Sequence, residues 1–391
     1  MKKVCVVTST RADYGLLRWV MHEIMMASEL QLQIAVTGAH LSPEFGLTWR
    51  NIVEDGFVID AKVELLLSSD TPVGITKSLS LAVAGFADAL AALRPDLLLV
   101  LGDRYEILGA VTAATMARIP VAHLHGGEVT EGAFDDSMRH AITKMSHLHF
   151  VAAEVYRQRV LQLGEDPEHV HNVGGLGIDN ILRLNLLERS ELEQSLDFKL
   201  GQRNLLVTFH PVTLEPGASA AQMTEMLAAL DSLPDTRLLF TMPNADPESR
   251  QLGEMVQAFA ARRPDTAKVW TSMGQLRYLS CLRHVDGVVG NSSSGLTEAP
   301  SFRIGTVNIG DRQRGRLKAA SVIDCAPTRE DIMRALQTLY SEAFRKQQPD
   351  VINPYGKGGA SPRIAAILTS CELDTLLKKK FHDLPTYIGQ P

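Results

Sequence analysis

Residues 95–128 read PDLLLVLGDRYEILGAVTAATMARIPVAHLHGGE. An apolar run at Asp96–Leu101 is followed by a longer amphipathic stretch at Arg104–Ala117, and then by a second apolar run at Pro120–His125. Short runs that are apolar on both faces are typical of buried parallel strands, and a longer amphipathic stretch between two of them is typical of a crossover helix. This segment therefore predicts a strand–helix–strand unit of a parallel sheet.

The same alternation extends along the chain in both directions, which predicts the α/β fold class. It restarts after a glycine cluster at residues 174–177, close to the polar stretch Glu188–Gln202, and this places a domain boundary within residues 174–200. We therefore expect two Rossmann-like doubly wound domains. The other predicted strands are Lys3–Thr8, Gln31–Thr37, His149–Ala152 and His169–Val173, followed by Asn204–Phe209, Arg237–Met242, Lys268–Thr271, Gly287–Val289, Thr306–Ile309 and Ser321–Asp324.

This boundary gives an N-terminal domain at residues 1–175 and a C-terminal domain at residues 176–370. After the last predicted strand, the charged amphipathic stretch Leu373–Phe381 predicts a helix within about residues 371–391 that is free to pack on either domain. The other helices predicted in the first domain are Tyr14–Ala27, Gly74–Leu93, Ser137–Met145 and Glu154–Leu163.

The composition excludes several classes of protein. The 391 residues carry 39 Lys+Arg against 45 Asp+Glu, a formal net charge of −6, so no overall positive field attracts nucleic acid or an anionic membrane. Any anion that binds must therefore meet a local basic site. The chain has four widely spaced cysteines without a CxxC pair, which is typical of free thiols in a reducing cytosol: Cys5, Cys281, Cys325 and Cys371.

Neither an export signal nor a membrane span is expected. Arg11 and Asp13 interrupt the first apolar run before a signal-peptide core develops. Later apolar stretches are strand-sized or broken by a charge, as Asp88 breaks Leu81–Leu93. We therefore expect a soluble, cytoplasmic protein.

Polar clusters follow several predicted strands. In doubly wound sheets ligands bind outside the carboxyl ends of the strands, so clusters at these positions indicate a binding site. The clusters are Thr8-Ser9-Thr10-Arg11, Gly102-Asp103-Arg104, His125-Gly126-Gly127-Glu128, His210-Pro211 and Gly290-Asn291-Ser292-Ser293-Ser294-Gly295.

The cluster at residues 290–295 has three serines between glycines at a predicted strand-to-helix turn. Hydroxyls and the N–H groups of a helix N-terminus can surround a phosphate, although a helix that is merely well capped is the alternative. Glu298, one turn further on, is either a ribose ligand or a surface carboxylate. Three guanidinium groups at Gly310–Arg316 are suited to bidentate phosphate contacts, and the alternative is a solvated basic loop.

Candidate acid and base groups follow the strand at residues 96–101. Asp103 and Arg104 could form a catalytic acid/base or an anion clamp, or could simply pair with each other. Asp135 suggests a capped helix start, with Asp136 one turn before Arg139 and His140 on one helical face. The stretch holds many further ionisable side chains, namely His123, His125, Glu128, Glu131 and His147.

His123 and His125 are spaced as alternate residues of a strand, which share a face and could form a metal ligand pair. The chain has no HExxH motif or Cys/His ligand set to complete such a site, so a metal is the weaker hypothesis. We expect neither a metal nor a cofactor. His147 and His149, at the start of the next strand, are interpreted as structural.

The motifs TSTRADYG, GDRYE, HLHGGE, FDDSMRH, FHPVT, MPNAD, GNSSSGLTE and GDRQRGR together resemble those of the hydrolysing UDP-N-acetylglucosamine 2-epimerases of bacterial sialic acid biosynthesis. The resemblance runs from about residue 2 to beyond residue 350. It implies two Rossmann-like domains facing across a cleft, the GT-B arrangement, with the C-terminal helix returning to the first domain. The implied reaction converts UDP-N-acetylglucosamine and water to N-acetylmannosamine and UDP through 2-acetamidoglucal.

The resemblance also implies roles for particular residues. Many relatives have a glutamate where this chain has His125, so the resemblance leaves the catalytic base open. Residues implied in UDP binding are Arg11, Arg104, His210, Asn244, Ser292, Ser293, Glu298 and Arg312. Residues implied in catalysis on the sugar are Asp103, His125, Glu128, Asp135, Asp136, Arg139 and His210.

Other functions share parts of this pattern. The same reaction on a UDP-2,4-diacetamido sugar, a GT-B glycosyltransferase, a metallohydrolase and a non-catalytic nucleotide-sugar sensor are the alternatives. As partners we expect a UDP-sugar substrate and further copies of this chain, in a dimer or tetramer. We expect neither nucleic acid nor a membrane as a partner.

Overall fold

The structure is a computed structural model that describes residues 1–69, 71–130, 135–211, 217–242 and 249–384. The chain divides into two compact units. Unit 1 comprises Met1–Glu128, Phe134–Asn180 and Gly358–Pro391, and unit 2 comprises Val129–Ala133 and Ile181–Lys357.

The described residues form strands and helices in alternation. The strands are β1 (Lys2–Thr8), β2 (Leu30–Thr37), β3 (Ala61–Val63), β4 (Leu97–Leu101), β5 (Val121–Leu124), β6 (Leu148–Val151), β7 (Val170–Asn172), β8 (Arg203–Thr208), β9 (Thr236–Thr241), β10 (Ala267–Trp270), β11 (Gly287–Gly290), β12 (Gly305–Ile309) and β13 (Val322–Cys325). The helices are α1 (Arg11–Met26), α2 (Trp49–Glu54), α3 (Pro72–Leu93), α4 (Tyr105–Met116), α5 (Asp135–Met145), α6 (Glu154–Gln162), α7 (Leu176–Arg183), α8 (Arg189–Leu196), α9 (Ala218–Asp231), α10 (Ser249–Ala261), α11 (Gly274–His284), α12 (Ser294–Thr297), α13 (Arg329–Tyr340), α14 (Glu342–Gln347), α15 (Ala360–Ser370) and α16 (Leu373–Leu376). Short 3₁₀ helices lie at Gly38–Leu41, Pro43–Phe45, Pro167–His169, Ala299–Phe302 and Gln348–Asp350.

Unit 1 contains a seven-stranded parallel sheet in the order β3-β2-β1-β4-β5-β6-β7. Alternate residues of β1 enter cores on opposite faces: Val4 and Val6 pack on one side, and Cys5 and Val7 on the other. Helices α1 and α15 cover the first face, and α3 and α4 cover the second. The strand order reverses between β1 and β4, which places the loops after these two strands at the topological switch point.

Unit 2 repeats this plan with six parallel strands in the order β10-β9-β8-β11-β12-β13. In β8, Leu205 and Val207 point into one core, while Leu206 points into the other. The strand order reverses between β8 and β11, so the loops after these strands lie at the switch point of this sheet. The α/β fold class and the two doubly wound sheets predicted from the sequence are confirmed.

The sequence did not predict β3. This strand has three residues and pairs only with β2 at the sheet edge, in register Ala35 with Ala61 and Thr37 with Val63. So short a strand carries too little apolar periodicity to be distinguished from a loop.

The C-terminal helix prediction was wrong in its extent. The stretch Leu373–Phe381 is helical only at α16, and the longer helix of this region is α15, which lies earlier in the chain. Lys379 donates instead to the carbonyls of Lys144 and Ser146, at 2.7 and 2.6 Å. These tertiary hydrogen bonds hold the segment outside the helix that its amphipathic pattern predicted.

One helix among the described residues, α3, is long and apolar enough by length and composition to cross a membrane. Its buried stripe of Gly74, Ser78, Ala82, Phe86 and Leu90 lies on one face, and the last three of these residues pack into the core on the sheet. This helix connects β3 to β4, which are parallel strands of one sheet. We therefore interpret α3 as a crossover helix.

Candidate active site

Arg139 connects the polar side chains at the strand ends of unit 1. Its guanidinium donates to the Asp103 carboxylate, donates to the His125 carbonyl at 3.4 Å, and lies 3.7 Å from the Glu128 carboxylate. The Arg139 and Glu128 side chains are each 5% exposed, whereas that of Asp103 is 21% exposed. The Asp103 carboxylate is therefore held by a buried cation and still reaches solvent, as a group that meets a substrate must.

His125 lies just beyond β5 with a backbone φ of +65°, a left-handed conformation that is costly for a residue with a Cβ. Its Nδ1 contacts the Glu128 carboxylate at 2.9 Å, while its Nε2 is buried with no hydrogen-bond partner among the described residues. Gly127 makes this turn possible, since a Cβ at that position would lie 2.3 Å from the Tyr156 carbonyl oxygen. A carboxylate thus orients the imidazole and leaves its second nitrogen for another group.

His123 does not pair with His125, which corrects the expectation that the two share a strand face. His123 is fully buried within β5, and its Nε2 contacts the Gly102 carbonyl at 2.8 Å while its Nδ1 contacts the Thr143 hydroxyl at 3.1 Å. Burial lowers the pKa of His123 to about 3, so the ring is neutral. Within the described residues, no group of three or more His, Cys, Asp or Glu side chains could hold a metal ion.

Two candidate carboxylates lie in the first turn of α5. Burial, and next the charge of Asp103, raise the pKa of Asp135 to about 6. Asp136 lies 3.4 Å from His140, one turn further along the same helical face. A carboxyl group with a pKa near 6 can exchange a proton close to neutral pH, which suits it to general acid or base catalysis.

The structure excludes a mutual pair of Asp103 and Arg104. The Arg104 guanidinium donates instead to the fully buried Glu106, from Nε at 3.1 Å and from Nη2 at 2.9 Å. The Arg104 side chain remains 46% exposed, and Arg11 is exposed at the first position of α1. Both guanidinium groups follow the two strands at the switch point of unit 1 and can meet an anion there.

Asn291 joins three strand-end loops of unit 2. Its side-chain oxygen accepts from the His210 backbone N–H at 2.7 Å, and its amide nitrogen donates to the His210 carbonyl at 2.8 Å. The Asn291 carbonyl accepts from Arg312 at 3.1 Å and from Gln313 at 2.8 Å. One fully buried amide therefore fixes the loops after β8, β11 and β12 together.

The roles of Asn291 and Gln313 are not apparent from the sequence alone. Their partners lie far away along the chain, and only the hydrogen bonds between strand ends show what these side chains do. The glycine that precedes Asn291 is the sequence feature that could have indicated a constrained turn here. Gly290 has a φ of +132°, and a Cβ there would lie 1.9 Å from the Thr208 carbonyl oxygen, so only glycine fits at this position.

The helix predicted after the serines is short: α12 has four residues, and a 3₁₀ helix with Pro300 near its start follows it. Proline has no N–H to continue the hydrogen-bond pattern of a helix. A dipole from α12 is correspondingly small. The half-buried hydroxyl groups of Ser292 and Ser293 are therefore the groups of this loop that can meet a phosphate.

Glu298 accepts a hydrogen bond from the Ser294 hydroxyl and is half-buried, so it is not a surface carboxylate. Burial raises its pKa. This places the carboxylate beside the serine loop, where it can accept hydrogen bonds from a diol.

The three arginines after β12 have different surroundings. Arg312 is half-buried and contacts the carbonyl of Asn291, whereas Arg314 is exposed and lies 3.4 Å from Asp311. Arg316 donates to the Thr130 hydroxyl at 3.2 Å. Of the three, Arg312 is the one fixed at the His210 loop.

His210 belongs to unit 2, whereas the acid and base groups described above belong to unit 1. Burial, and next the charge of Arg312, lower the pKa of His210 to about 3, so the ring is neutral at physiological pH. A neutral imidazole can hydrogen-bond a ligand without adding charge. Two residues that the sequence singled out, Glu131 and Asn244, lie outside the described residues.

The two units therefore define an α/β protein of doubly wound sheets, with coupled acids and bases in the strand-end loops of unit 1 and serine hydroxyls, a guanidinium and a neutral imidazole in those of unit 2. Residues 22–369 match the UDP-N-acetylglucosamine 2-epimerase family, and the chain belongs to it.

Two relatives extend this finding over 98% of the chain, and a solved structure shows a similar fold. The chain is 42% identical to the GDP/UDP-N,N'-diacetylbacillosamine 2-epimerase (hydrolyzing) of Campylobacter jejuni, over 98% of this chain and 99% of the relative. It is 37% identical to the polysialic acid biosynthesis protein P7 of Escherichia coli, over 98% of each. A crystal structure of a putative UDP-N-acetylglucosamine 2-epimerase from Listeria monocytogenes has a similar fold, with a TM-score of 0.81 at 19% identity over 98% of this chain and 100% of that one.

Proposed function

We propose that this chain is a hydrolysing 2-epimerase of a nucleotide-activated 2-acetamido sugar. The observation that carries the proposal is the cluster of Asp103, His125, Glu128 and Arg139 in unit 1 of a chain that resembles a hydrolysing 2-epimerase over 98% of its length. Such a cluster of acids and bases fits a reaction that moves a proton.

The nucleotide is assigned to unit 2. Ser292 and Ser293 offer hydroxyls to the diphosphate, Arg312 offers a guanidinium, and Glu298 offers a carboxylate to the ribose diol. His210 is neutral and adds hydrogen-bonding capacity. Arg11 and Arg104, which the sequence motifs imply in UDP binding, are the candidate anion-binding cations of unit 1. As the C1–O bond breaks, these groups stabilise the charge that develops on the leaving diphosphate.

The proton chemistry is assigned to unit 1. The C2–H of a sugar is not acidic because no carbonyl adjoins it, so its removal must accompany departure of the nucleotide from C1. Asp135 takes the C2 proton, and the C2–H electron pair forms the C1–C2 double bond of a 2-acetamidoglucal while the C1–O pair leaves with the nucleoside diphosphate.

Hydration of the glucal completes the turnover. His125, oriented by Glu128, delivers a proton to C2 from the face that inverts this centre, and the electron pair of the C1–C2 double bond forms the new C2–H bond. Water then bonds to the electron-poor C1 through its oxygen and loses one proton to an ionised carboxylate, for which Asp103 and Asp136 are the candidates. No step of this sequence calls for a metal or a redox cofactor.

Two substrates are candidates for this site. N,N'-diacetylbacillosamine attached to a nucleoside diphosphate is favoured by the name of the Campylobacter jejuni relative, which includes both GDP and UDP. UDP-N-acetylglucosamine, the substrate expected from the sequence motifs, is favoured by the name of the family that residues 22–369 match. The two sugars differ at C4 and C6, so a panel of both sugars on both nucleotides separates them.

The reaction is tested by turnover of this panel in D2O. Elimination and hydration exchange the C2 hydrogen with solvent, so the released sugar should carry deuterium at C2 and the manno configuration. NMR and mass spectrometry of the product measure both properties. Release of a sugar with protium at C2 and the original configuration would indicate simple hydrolysis and overturn the proposal.

A further inference from the structure

A carbonyl in the last turn of α5 and a carbonyl just after the helix are bound by a side chain from the far end of the sequence. Carbonyls at a helix C-terminus have no partner within the helix and need one from elsewhere. Those of Lys144 and Ser146 accept from the Lys379 ammonium at 2.7 and 2.6 Å. A cation at this position also interacts favourably with the negative end of the helix dipole.

The Lys379 ammonium donates its third hydrogen bond to a buried carboxylate. Its Nζ lies 2.6 Å from Glu165, whose side chain is 1% exposed. Glu165 also accepts from Lys144 of α5 and His149 of β6, each at 2.9 Å. Burial acts to raise the pKa of Glu165, but hydrogen bonds from His149 and the two lysines outweigh it and lower this pKa to about 2.

The segment Leu377–Leu384, which we call the strap, makes two further contacts beside this cluster. The His382 N–H donates to the Gly164 carbonyl at 2.9 Å. The Phe381 ring lies against Gly164, where a Cβ would come within 2.4 Å of it, and Lys144 Nζ lies 4.6 Å from the ring centroid. The strap is therefore seated on the C-terminal end of α5 and on the loop after α6.

The opposite end of α5 carries Asp135 and Asp136, and Arg139 follows one turn later. A rigid helix transmits a shift at one end to the other, and misplacement of catalytic groups by about 1 Å is costly to turnover. We propose that the strap positions α5, and that Lys379 is a positioning residue for the acid/base groups on this helix. The effect on turnover rests on the proposed function, whereas the effect on the helix does not.

The test compares three neighbouring lysines. Lys379→Met removes the charge and keeps most of the stem, and Lys378→Met and Lys380→Met are matched changes at exposed positions. In Lys379→Met we expect kcat to fall about tenfold or more, because charge-assisted hydrogen bonds at the end of α5 are lost. UDP affinity should stay within about twofold, because none of the groups assigned to the nucleotide lies on α5.

Hydrogen exchange measures the local stability of α5 independently of activity. Amides in the last turn of α5 should exchange about tenfold faster or more in Lys379→Met, with α4 unchanged, and the two control variants should match the wild type. Lys379→Arg keeps the cation and should retain most of the kcat.

Phe381→Ala provides a milder variant if Lys379→Met does not fold. It removes only the ring over Gly164. It should lower kcat and raise the exchange rate of the amides in the last turn of α5, each by about two- to fivefold. The proposal is overturned if the three methionine variants behave alike, or if exchange rises equally throughout unit 1. A wild-type enzyme that fails the D2O test removes the proposed function, while the exchange comparison still decides the role of the strap.

Discussion

The strand-end sites of the two units have the same topology and different chemistry. In unit 1, Arg139 joins Asp103 and Glu128 through ion pairs, and the pKa of Asp135 nearby is raised to about 6. In unit 2, the amide of Asn291 binds backbone groups, and the pKa of His210 is lowered to about 3. Coupled ionisable groups suit proton transfer, whereas fixed dipoles and a neutral ring suit the binding of an anion. This contrast is the basis on which we propose separate roles for the two units.

The largest effect is expected from Asp103→Asn. This change keeps the size of the side chain and removes its charge beside Arg139, so kcat should fall by about 10²–10⁴-fold with UDP affinity nearly unchanged. Steady-state kinetics and calorimetry with UDP measure the two quantities.

Asp96→Asn is the matched control for this prediction. Asp96 lies just before β4 and accepts from the Lys3 N–H at 2.8 Å, whereas Asp103 lies just after the same strand. The same substitution at the other end of the strand should leave kcat within about twofold. Near-normal turnover of Asp103→Asn would remove this carboxylate from the reaction.

A smaller effect, on binding instead of turnover, is expected in unit 2. Arg312→Ala should weaken UDP binding by about 10- to 150-fold, because a hydrogen bond to a charged group contributes about 1.5–3 kcal/mol. Arg314→Ala removes an exposed guanidinium from the same loop and should change the affinity by less than about threefold. Calorimetry that finds equal affinities for the two variants would contradict the assignment of the nucleotide to unit 2.

Much of the fold could be predicted because buried parallel strands leave a local signal. Runs such as Leu97–Leu101 and Leu205–Val207 are apolar on both faces, and the polar loops after them mark where each strand ends. The prediction of a C-terminal helix over Leu373–Phe381 failed because the amphipathic pattern is a local signal. The contacts of Lys379 that override this pattern are made with residues far away in the sequence.

The candidate site, too, could be predicted from the sequence only where the signal is local. Motif positions identified Asp103, His125 and Arg139 as candidates, but adjacency in sequence left open a pair between Asp103 and Arg104. The tertiary structure shows which residues pair: Arg104 donates to the buried Glu106, and Asp103 forms an ion pair with Arg139. The left-handed backbone of His125 was equally hidden, because strand alternation predicts an extended residue there.

The smallest expected effect is a pH dependence that distinguishes the ionisable site from the neutral one. Burial, and next the charge of Asp103, raise the pKa of Asp135 to about 6. A base must be ionised, so kcat/KM should be half-maximal near pH 6 and fall as the pH drops further. Asp103→Asn removes one cause of the raised pKa and should move this acid limb of the profile to lower pH. The ionised form of a carboxyl group with a raised pKa is disfavoured in the folded state, so Asp135→Asn should raise Tm at pH 7.5 and have little effect at pH 4, where the group is already protonated. Asp96→Asn should show no such difference in Tm change between the two pH values. If the acid limb of the kcat/KM profile stays at the same pH in Asp103→Asn, the base is a group other than Asp135.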